Sequence, residues 1–315
     1  MTTNIVVTGT LSFDYIMDFN GKFSDRIMPD KLHCLSLSFL VDKLNKQMGG
    51  TAGNIAYSMR LLGMNPAILA PAGNDYAPYQ AFQKKHKINT DYIKPFINES
   101  TSLYFVMTDQ SHNQIGSFYM GATKYAKKLH ISDVPKKEKL VILSSTEPVA
   151  MRRYVQECIQ LKIPYLYDPS FQIGNFTADE LEYDIGYAQI LIGNDYEIAL
   201  IEEKLAVSHE ELITRVQILI TTLGSRGSII ETRYDALHIR RAIPISECDP
   251  TGAGDAYRAG FVTGYLKGFP LDVCGQMGST TAAYTVEKYG TQTHEFTKRE
   301  FCNRFRENFG KEISL

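Results

Sequence analysis

A chain of 315 residues with 44% hydrophobic and 22% charged residues has the make-up of an ordinary globular protein, long enough for one large α/β domain or two smaller ones. Its formal net charge of −2 offers no basic field, so neither nucleic acid nor a membrane is expected as a partner, and a small molecule is. Cys34, Cys158, Cys248, Cys274 and Cys302 are odd in number and form no C-x-x-C pair, which speaks against a disulfide framework or a zinc knuckle. The opening MTTNIVVTGT does not read as a secretion signal and no apolar run reaches membrane-spanning length, so a cytoplasmic protein is expected.

In chain order, NIVVTG (4–9) is the first predicted strand. TAGNIAYSMRLLG follows as an amphipathic helix, with Ile55, Met59 and Leu62 at i, i+4 and i+7 and Gly63 where a C′ glycine belongs. AILAP (67–71) and LVILSS (140–145) read as strands, and PVAMRRYVQECIQLKIP as a helix that aligns Val155, Cys158, Ile159 and Leu161. YLYD (165–168), ILIG (190–193) and ILITT (218–222) complete the series of strands. All are nearly continuous in hydrophobicity, the pattern of strands buried on both faces. Strands alternating with helices predict a mostly parallel sheet covered on both sides.

Two regions break the alternation. In LHCLSLSFLV (32–41), Leu35, Leu37 and Phe39 alternate with Ser36 and Ser38, and SLYFVMTD (102–109) with NQIGSFYMG (113–121) reads as a hairpin around QSHN. These predict half-exposed antiparallel strands. With no repeat and no low-complexity linker, residues 1–315 are expected to form one domain, with a lid from about 14–48 and 96–125.

DPTGAGDAYRAGF (249–261) carries the chemistry. No Walker P-loop is present, and G-x-G-x-x-G fails because Tyr257 stands at its third glycine. Gly252, Ala253 and Gly254 instead bring backbone N–H groups together at the start of a helix predicted from about Asp255 to Lys267, a cradle for negative charge. Asp255 beside the cradle is placed to take a proton from a hydroxyl that attacks a bound phosphate. Taken alone, the stretch also fits a first-turn acid after a tight glycine turn.

Together with GGTAGNIAYSMRLLG (49–63), some 200 residues earlier, DPTGAGDAYRAGF resembles the paired signatures of the ribokinase/PfkB family of small-molecule kinases, over essentially the whole chain. The resemblance implies a three-layer α/β/α sandwich with a mainly parallel central sheet and a small β-sheet lid, ATP as phosphoryl donor and Mg2+ as cofactor, with K+ as a further candidate. It implies Asp255 as catalytic base and Gly252, Ala253 and Gly254 as the anion hole, completed by the N–H of Asp255. NDYE matches the family's N-x-x-E, so Asn194 and Glu197 would organise Mg2+ and phosphates through water. TLGSRGS (222–228) resembles the nucleotide loop, with Thr222 and Gly224 near ATP and Gly227 turning the chain, and VEKYGTQ lies where the family contacts adenine.

Asp14, after the first strand, matches the carboxylate that bridges two adjacent sugar hydroxyls, and Gly49, Gly50 and Asn54 stand at the same mouth. Phe39, Tyr104, Phe118 and Tyr119 of the lid offer faces for a flat base, or equally the apolar face of a small sheet. GKFSDRIMPDKLHCLSLSFL and NQIGSFYMGA are similar to lid segments of bacterial adenosine kinase-like members. Transfer to the 5′-hydroxyl of a purine nucleoside, adenosine favoured, is therefore expected. A sugar kinase of the ribokinase or fructokinase type and a non-catalytic nucleoside sensor are the alternatives. Arg258 is read as structural or solvated, and the assembly as a monomer or a homodimer through the lid.

Overall fold

The computed structural model describes residues 5–34, 36–111, 113–134 and 140–315. Its strands are β1 (Ile5–Thr8), β2 (Ser12–Asp18), β3 (Lys43–Gly49), β4 (Ala67–Ala72), β5 (Ile93–Pro95), β6 (Ser102–Thr108), β7 (Gln114–Tyr119), β8 (Leu140–Ser144), β9 (Tyr165–Asp168), β10 (Ile190–Asn194), β11 (Ile218–Thr222), β12 (Ser228–Glu231) and β13 (Ala236–Ile239). The α-helices are α1 (Thr51–Leu61), α2 (Ala77–Lys85), α3 (Pro148–Leu161), α4 (Ala178–Gly186), α5 (Asp195–Leu205), α6 (His209–Arg215), α7 (Ala253–Leu266), α8 (Leu271–Val286) and α9 (Lys298–Phe309).

Nine strands form the central sheet in the order β13-β12-β11-β10-β9-β8-β1-β4-β5, parallel throughout except for β12 and β13 at one edge. Alternate residues of β1 feed the two faces. Ile5 and Val7 join Ile55 and Met59 of α1 and Phe261 of α7, while Val6 joins Met151 and Val155 of α3 and Ile201 of α5. This is the α/β/α sandwich expected from the runs of buried strand residues. The helices start where local chemistry dictates. Thr177/Glu180, Asn194/Glu197, Ser208/Glu211 and Thr297/Glu300 form reciprocal capping boxes at α4, α5, α6 and α9.

A separate four-stranded sheet, order β3-β2-β6-β7, stands beside the main body. The hairpin read at 102–121 is present as β6 and β7, paired antiparallel from Leu103↔Tyr119 to Thr108↔Gln114; His112 of its turn lies outside the described residues. The strand read at 32–41 is not. Residues Pro29–Cys34 form a 3-10 turn and 36–41 are irregular, with Leu35 outside the described residues. Phe39 leaves the sheet and packs edge-on against Phe19 and Phe23, at centroid distances of 5.0 and 5.4 Å. The strand falls later, on the polar KLNKQMG of β3, because pairing with β2 from Ser12↔Gly49 to Asp18↔Lys43 satisfies its backbone at an exposed sheet edge.

His294 is buried between Ser58 of α1, 3.2 Å from its Nε2, and Thr285 of α8, 3.4 Å from its Nδ1. Burial pushes the imidazole down to about 4. The folded protein therefore keeps His294 neutral while the unfolded chain takes up its proton near pH 6.5. The resulting stabilisation is full above about pH 6.5 and is lost as pH falls towards 4, by up to about 3 kcal/mol. Urea unfolding of the protein and of His294→Gln at pH 7.5, 5.5 and 4.0 measures it. The stability difference between the two should shrink steadily towards acid, and a constant difference would show that His294 does not titrate on unfolding.

Candidate active site

The site lies at the carboxyl ends of β1, β9, β10 and β11, where open α/β sheets hold their ligands. α7 begins there. Gly252, its N-cap, has φ +79°, a conformation glycine adopts without strain. Asp249 shapes the loop before it: Oδ1 accepts from the Thr251 amide at 2.9 Å and Oδ2 from the Gly290 amide at 3.1 Å. The Ala253 amide turns back onto the Pro250 carbonyl at 3.2 Å, and no backbone carbonyl among the described residues accepts from the amides of Gly254 and Asp255. Those two donors open the helix start to an anion.

Asp255 is held in place by a chain of hydrogen bonds from distant segments. Asn54 Nδ2 donates to its Oδ2 at 2.8 Å. Gln292 Nε2 donates to Asn54 Oδ1 at 2.8 Å and to the Tyr79 hydroxyl at 2.7 Å, and Tyr79 donates to the Gly49 carbonyl at 2.7 Å. Burial raises the Asp255 carboxyl above the usual carboxylate range. The Arg258 guanidinium and the Asn54 amide oppose the rise, and Glu197 adds to it. Arg258, one turn further along α7, is neither solvated nor idle: it is buried and places Nε 2.6 Å from Asp168 Oδ2. Burial pushes Asp168 up to about 6 against the pull of that guanidinium, and its Oδ1 has no hydrogen-bond partner.

Two cavities flank the start of α7. One, of about 470 Å³, is lined by Asp14, Ser12, Thr51, Asn54, Gly252 and Asp255, by Tyr104, Gly116 and Phe118 from β6 and β7 of the small sheet, and by Phe171. Asp14 belongs to β2 of that sheet. Its Oδ1 accepts from Ser12 Oγ at 2.6 Å, and Gly49 must lack a side chain because a Cβ there would stand 1.9 Å from Asp14 Oδ2. Burial, with Asp255 and Asp249 adding and Ser12 opposing, pushes Asp14 up to about 7. Phe171, 58% exposed, meets Phe118 at a centroid distance of 5.8 Å. Tyr119 instead faces away and donates to Glu99.

The second cavity, of about 330 Å³, runs from Ala253 and Gly254 along Thr222, Gly224, Ser225 and Gly227 to Ala282, Ala283 and Val286 of α8. Of VEKYGTQ only Val286 lines it. Tyr289 donates to Asp18 at 2.9 Å and Thr291 to the Met48 carbonyl at 3.0 Å, so this segment mainly fastens the small sheet to the body. Asn194 and Glu197 line neither cavity. The Asn194 side chain accepts from the Glu197 amide and Glu197 Oε2 from the Asn194 amide, both at 2.8 Å. Among the described residues no three His, Cys, Asp or Glu side chains form a metal cage.

Sequence reasoning gave no individual role to Asp168, Asp249, Tyr79, Gln292 or Phe171, although Asp249 opens DPTGAGDAYRAGF and Gln292 closes VEKYGTQ. For Asp168 the signal was an acid ending the buried run YLYD, where burial of a charge marks a functional position.

Comparison with known proteins adds the following. The profile of the pfkB family of carbohydrate kinases matches residues 4–298. A nucleoside kinase of Methanothermobacter thermautotrophicus is 32% identical over 313 residues, 98% of this chain and 97% of that protein. The structure of Burkholderia thailandensis nucleoside kinase in complex with inosine superposes with a TM-score of 0.92 at 31% identity, covering 98% of this chain and 99% of that one. The same protein in complex with ADP-inosine gives 0.91 at 32% identity, covering 98% and 97%.

Proposed function

This chain belongs to the pfkB family of carbohydrate kinases and is a phosphotransferase with an alcohol group as acceptor; from that premise we propose that it transfers the γ-phosphoryl group of ATP to the 5′-hydroxyl of a purine nucleoside. The observation that carries the proposal is a single helix start, with Asp255 on it, shared by two cavities of unlike character. The one beside Asp14 suits the nucleoside and the one beside Thr222 and Gly224 suits ATP.

Asp14 accepts the two ribose hydroxyls, which a carboxylate on a rigid strand can bridge. Tyr104, Phe118 and Phe171 supply aromatic faces for the base, an extent of apolar wall that a free sugar would not fill. Adenosine heads the proposed substrates, with inosine beside it. As the 5′-oxygen attacks, its bond to the γ-phosphorus forms, the bond from that phosphorus to the β,γ-bridging oxygen breaks, and ADP leaves. The hydroxyl proton passes to Asp255. Charge developing on the transferred group meets the amides of Gly254 and Asp255 at the positive end of α7.

A divalent cation fits the donor set. The Arg258 guanidinium pairs with Asp168 while Glu197 and Asp255 add negative charge nearby, and Asp168 Oδ1 has no partner. Mg2+, which keeps most of its waters, would be held through them by Glu197, Asn194 and Asp168, and when bound would neutralise phosphate charge. Assembly as a homodimer through the outer face of the small sheet is proposed on its exposed Leu44, Phe105 and Ile115.

Asp255→Asn is nearly isosteric and cannot take a proton. Its kcat is expected to fall by about 10²- to 10⁴-fold with nucleotide binding retained. In the unaltered enzyme, the raised Asp255 carboxyl moves the acid limb of the kcat profile above the usual carboxylate range, since the base works only when deprotonated. A kcat loss below tenfold would remove Asp255 from the role of base.

The substrate reading is tested with ATP and Mg2+ on adenosine, inosine, guanosine, cytidine, ribose and fructose 6-phosphate. Purine nucleosides should lead, and a lead by ribose or the hexose phosphate would replace this reading by a sugar kinase. A 2′-deoxynucleoside should be about ten- to a hundredfold poorer in kcat/KM than its ribo counterpart, a lost hydrogen bond to a charged group. In Asp14→Ala that gap should narrow, and a gap of unchanged size would mean that Asp14 does not read the diol.

A further inference from the structure

The strap 240–252 between β13 and α7 pairs with no strand among the described residues, yet it forms one wall of the nucleotide-side cavity through Ala242, Pro244 and Cys248 and leads straight into Gly252. Its backbone is held from behind by helix side chains. The Ala242 amide donates to Ser279 Oγ at 2.6 Å, the Ile243 amide to Asn308 Oδ1 at 2.7 Å and the Ile245 amide to Glu287 Oε1 at 2.5 Å. Arg304 of α9 grips both parts. Nη1 donates to Glu287 Oε2 at 2.8 Å, Nη2 pairs with Glu287 Oε1, and Nη2 donates to the Ile243 carbonyl at 3.0 Å. The guanidinium also lies over the Tyr284 ring, 4.4 Å from its centroid. Both side chains of the pair are about nine-tenths covered, at 9% and 10% exposure. Neither lines the nucleotide-side cavity.

A two-pronged, planar ion pair of this kind fixes position as well as charge. Between the Ile243 carbonyl and the Ile245 amide that the pair holds, Pro244 lines the cavity. We propose that Arg304 and Glu287 are positioning residues for the nucleotide. From α9 and the end of α8 they set the strap that forms the cavity wall and delivers the chain to the anion-binding turn. The inference rests on the nucleotide reading of that cavity.

The test compares Arg304→Gln, Arg304→Lys and Glu287→Gln with Arg152→Gln, which breaks another ion pair, that of half-buried Arg152 with buried Asp184, between α3 and α4. Calorimetry gives the ADP Kd, steady-state kinetics the KM for ATP and for the nucleoside, and thermal unfolding the Tm. Arg304→Gln and Glu287→Gln should raise the ADP Kd and the ATP KM about tenfold, since small displacements far from the chemistry suffice for such losses, and leave the nucleoside KM within about twofold. Arg304→Lys, which keeps the charge and loses the fork, should fall between them and the unaltered protein. Arg152→Gln should lower Tm without moving either nucleotide constant. If Arg304→Gln does not fold, Arg304→Lys and Glu287→Gln carry the comparison. Nucleotide constants that stay unchanged, that rise no more than the nucleoside KM, or that rise as much in Arg152→Gln would overturn the positioning role. An unaltered protein that turns over a nucleoside while the pin variants show no shift defeats this inference alone. One that binds no ADP defeats the nucleotide reading with it.

Discussion

The ion pair between Arg258 and Asp168 is the contact on which the site depends. It joins the first turns of α7 to the carboxyl end of β9 beneath the open amides of Gly254 and Asp255, and it runs directly under Gly254, where a Cβ would stand 2.7 Å from Arg258 Nη1. A buried pair of this kind need not add net stability, because desolvating both ions can offset their attraction. Its effect here is on geometry and charge. It fixes the rotation of α7, and so the direction in which Asp255 and the two open amides point. It also sets a positive charge against Asp168 and close to Asp255 and Glu197.

The small sheet is fastened to the body at the points that matter for chemistry. Gln114 of β7 reaches Thr251 at 3.3 Å, Tyr289 reaches Asp18 at the far end of β2, and Thr291 reaches Met48 at the end of β3. Each contact ties the sheet that carries Asp14 to the loop that leads into α7 or to the segment around Gly290. Hydrogen bonds from Gly49 through Tyr79, Gln292 and Asn54 to Asp255 run along the same seam. The distance between the two acids is thus set by a closed ring of contacts, as a substrate reaching from one acid to the other would require.

What was legible in the sequence was local. The buried strands announce themselves by apolar runs, and α7 with its turn by DPTGAGD, because a helix start, a glycine turn and an acid must be neighbours in the chain to work together. What was not legible depends on partners far away. Gln292 looks like any polar residue until the fold brings it to Asn54, and Phe171 looks like a stray aromatic until it meets Phe118. At 32–41 the serine–hydrophobic alternation is a genuine period-two pattern, yet period alone does not supply a neighbouring strand. β2 takes the polar KLNKQMG instead, since an edge strand with one open face needs little hydrophobicity. N-x-x-E shows a further limit. The same spacing serves a capping box at α5, and that local use is what the contacts of Asn194 and Glu197 display.

The charge arrangement also sets the sign of the protein's response to pH. Asp14 is pushed up to about 7, so the folded state holds its proton more tightly than the unfolded chain, and stability from this group falls as pH rises from about 4 to 7. Asp168, raised to about 6, and Asp255 act in the same direction. His294, held neutral down to about 4, acts in the opposite direction between pH 4 and 6.5. The slopes partly cancel there, and above pH 6.5 the slope from His294 is gone while that from Asp14 continues to about 7. At neutral pH the ionised acids therefore oppose folding, and the hydrophobic contacts on both faces of the central sheet must outweigh them. A ligand that brings hydroxyls to Asp14 and a cation to Asp168 would remove part of that opposition, so occupancy of the site and stability of the fold are linked through the same carboxylates.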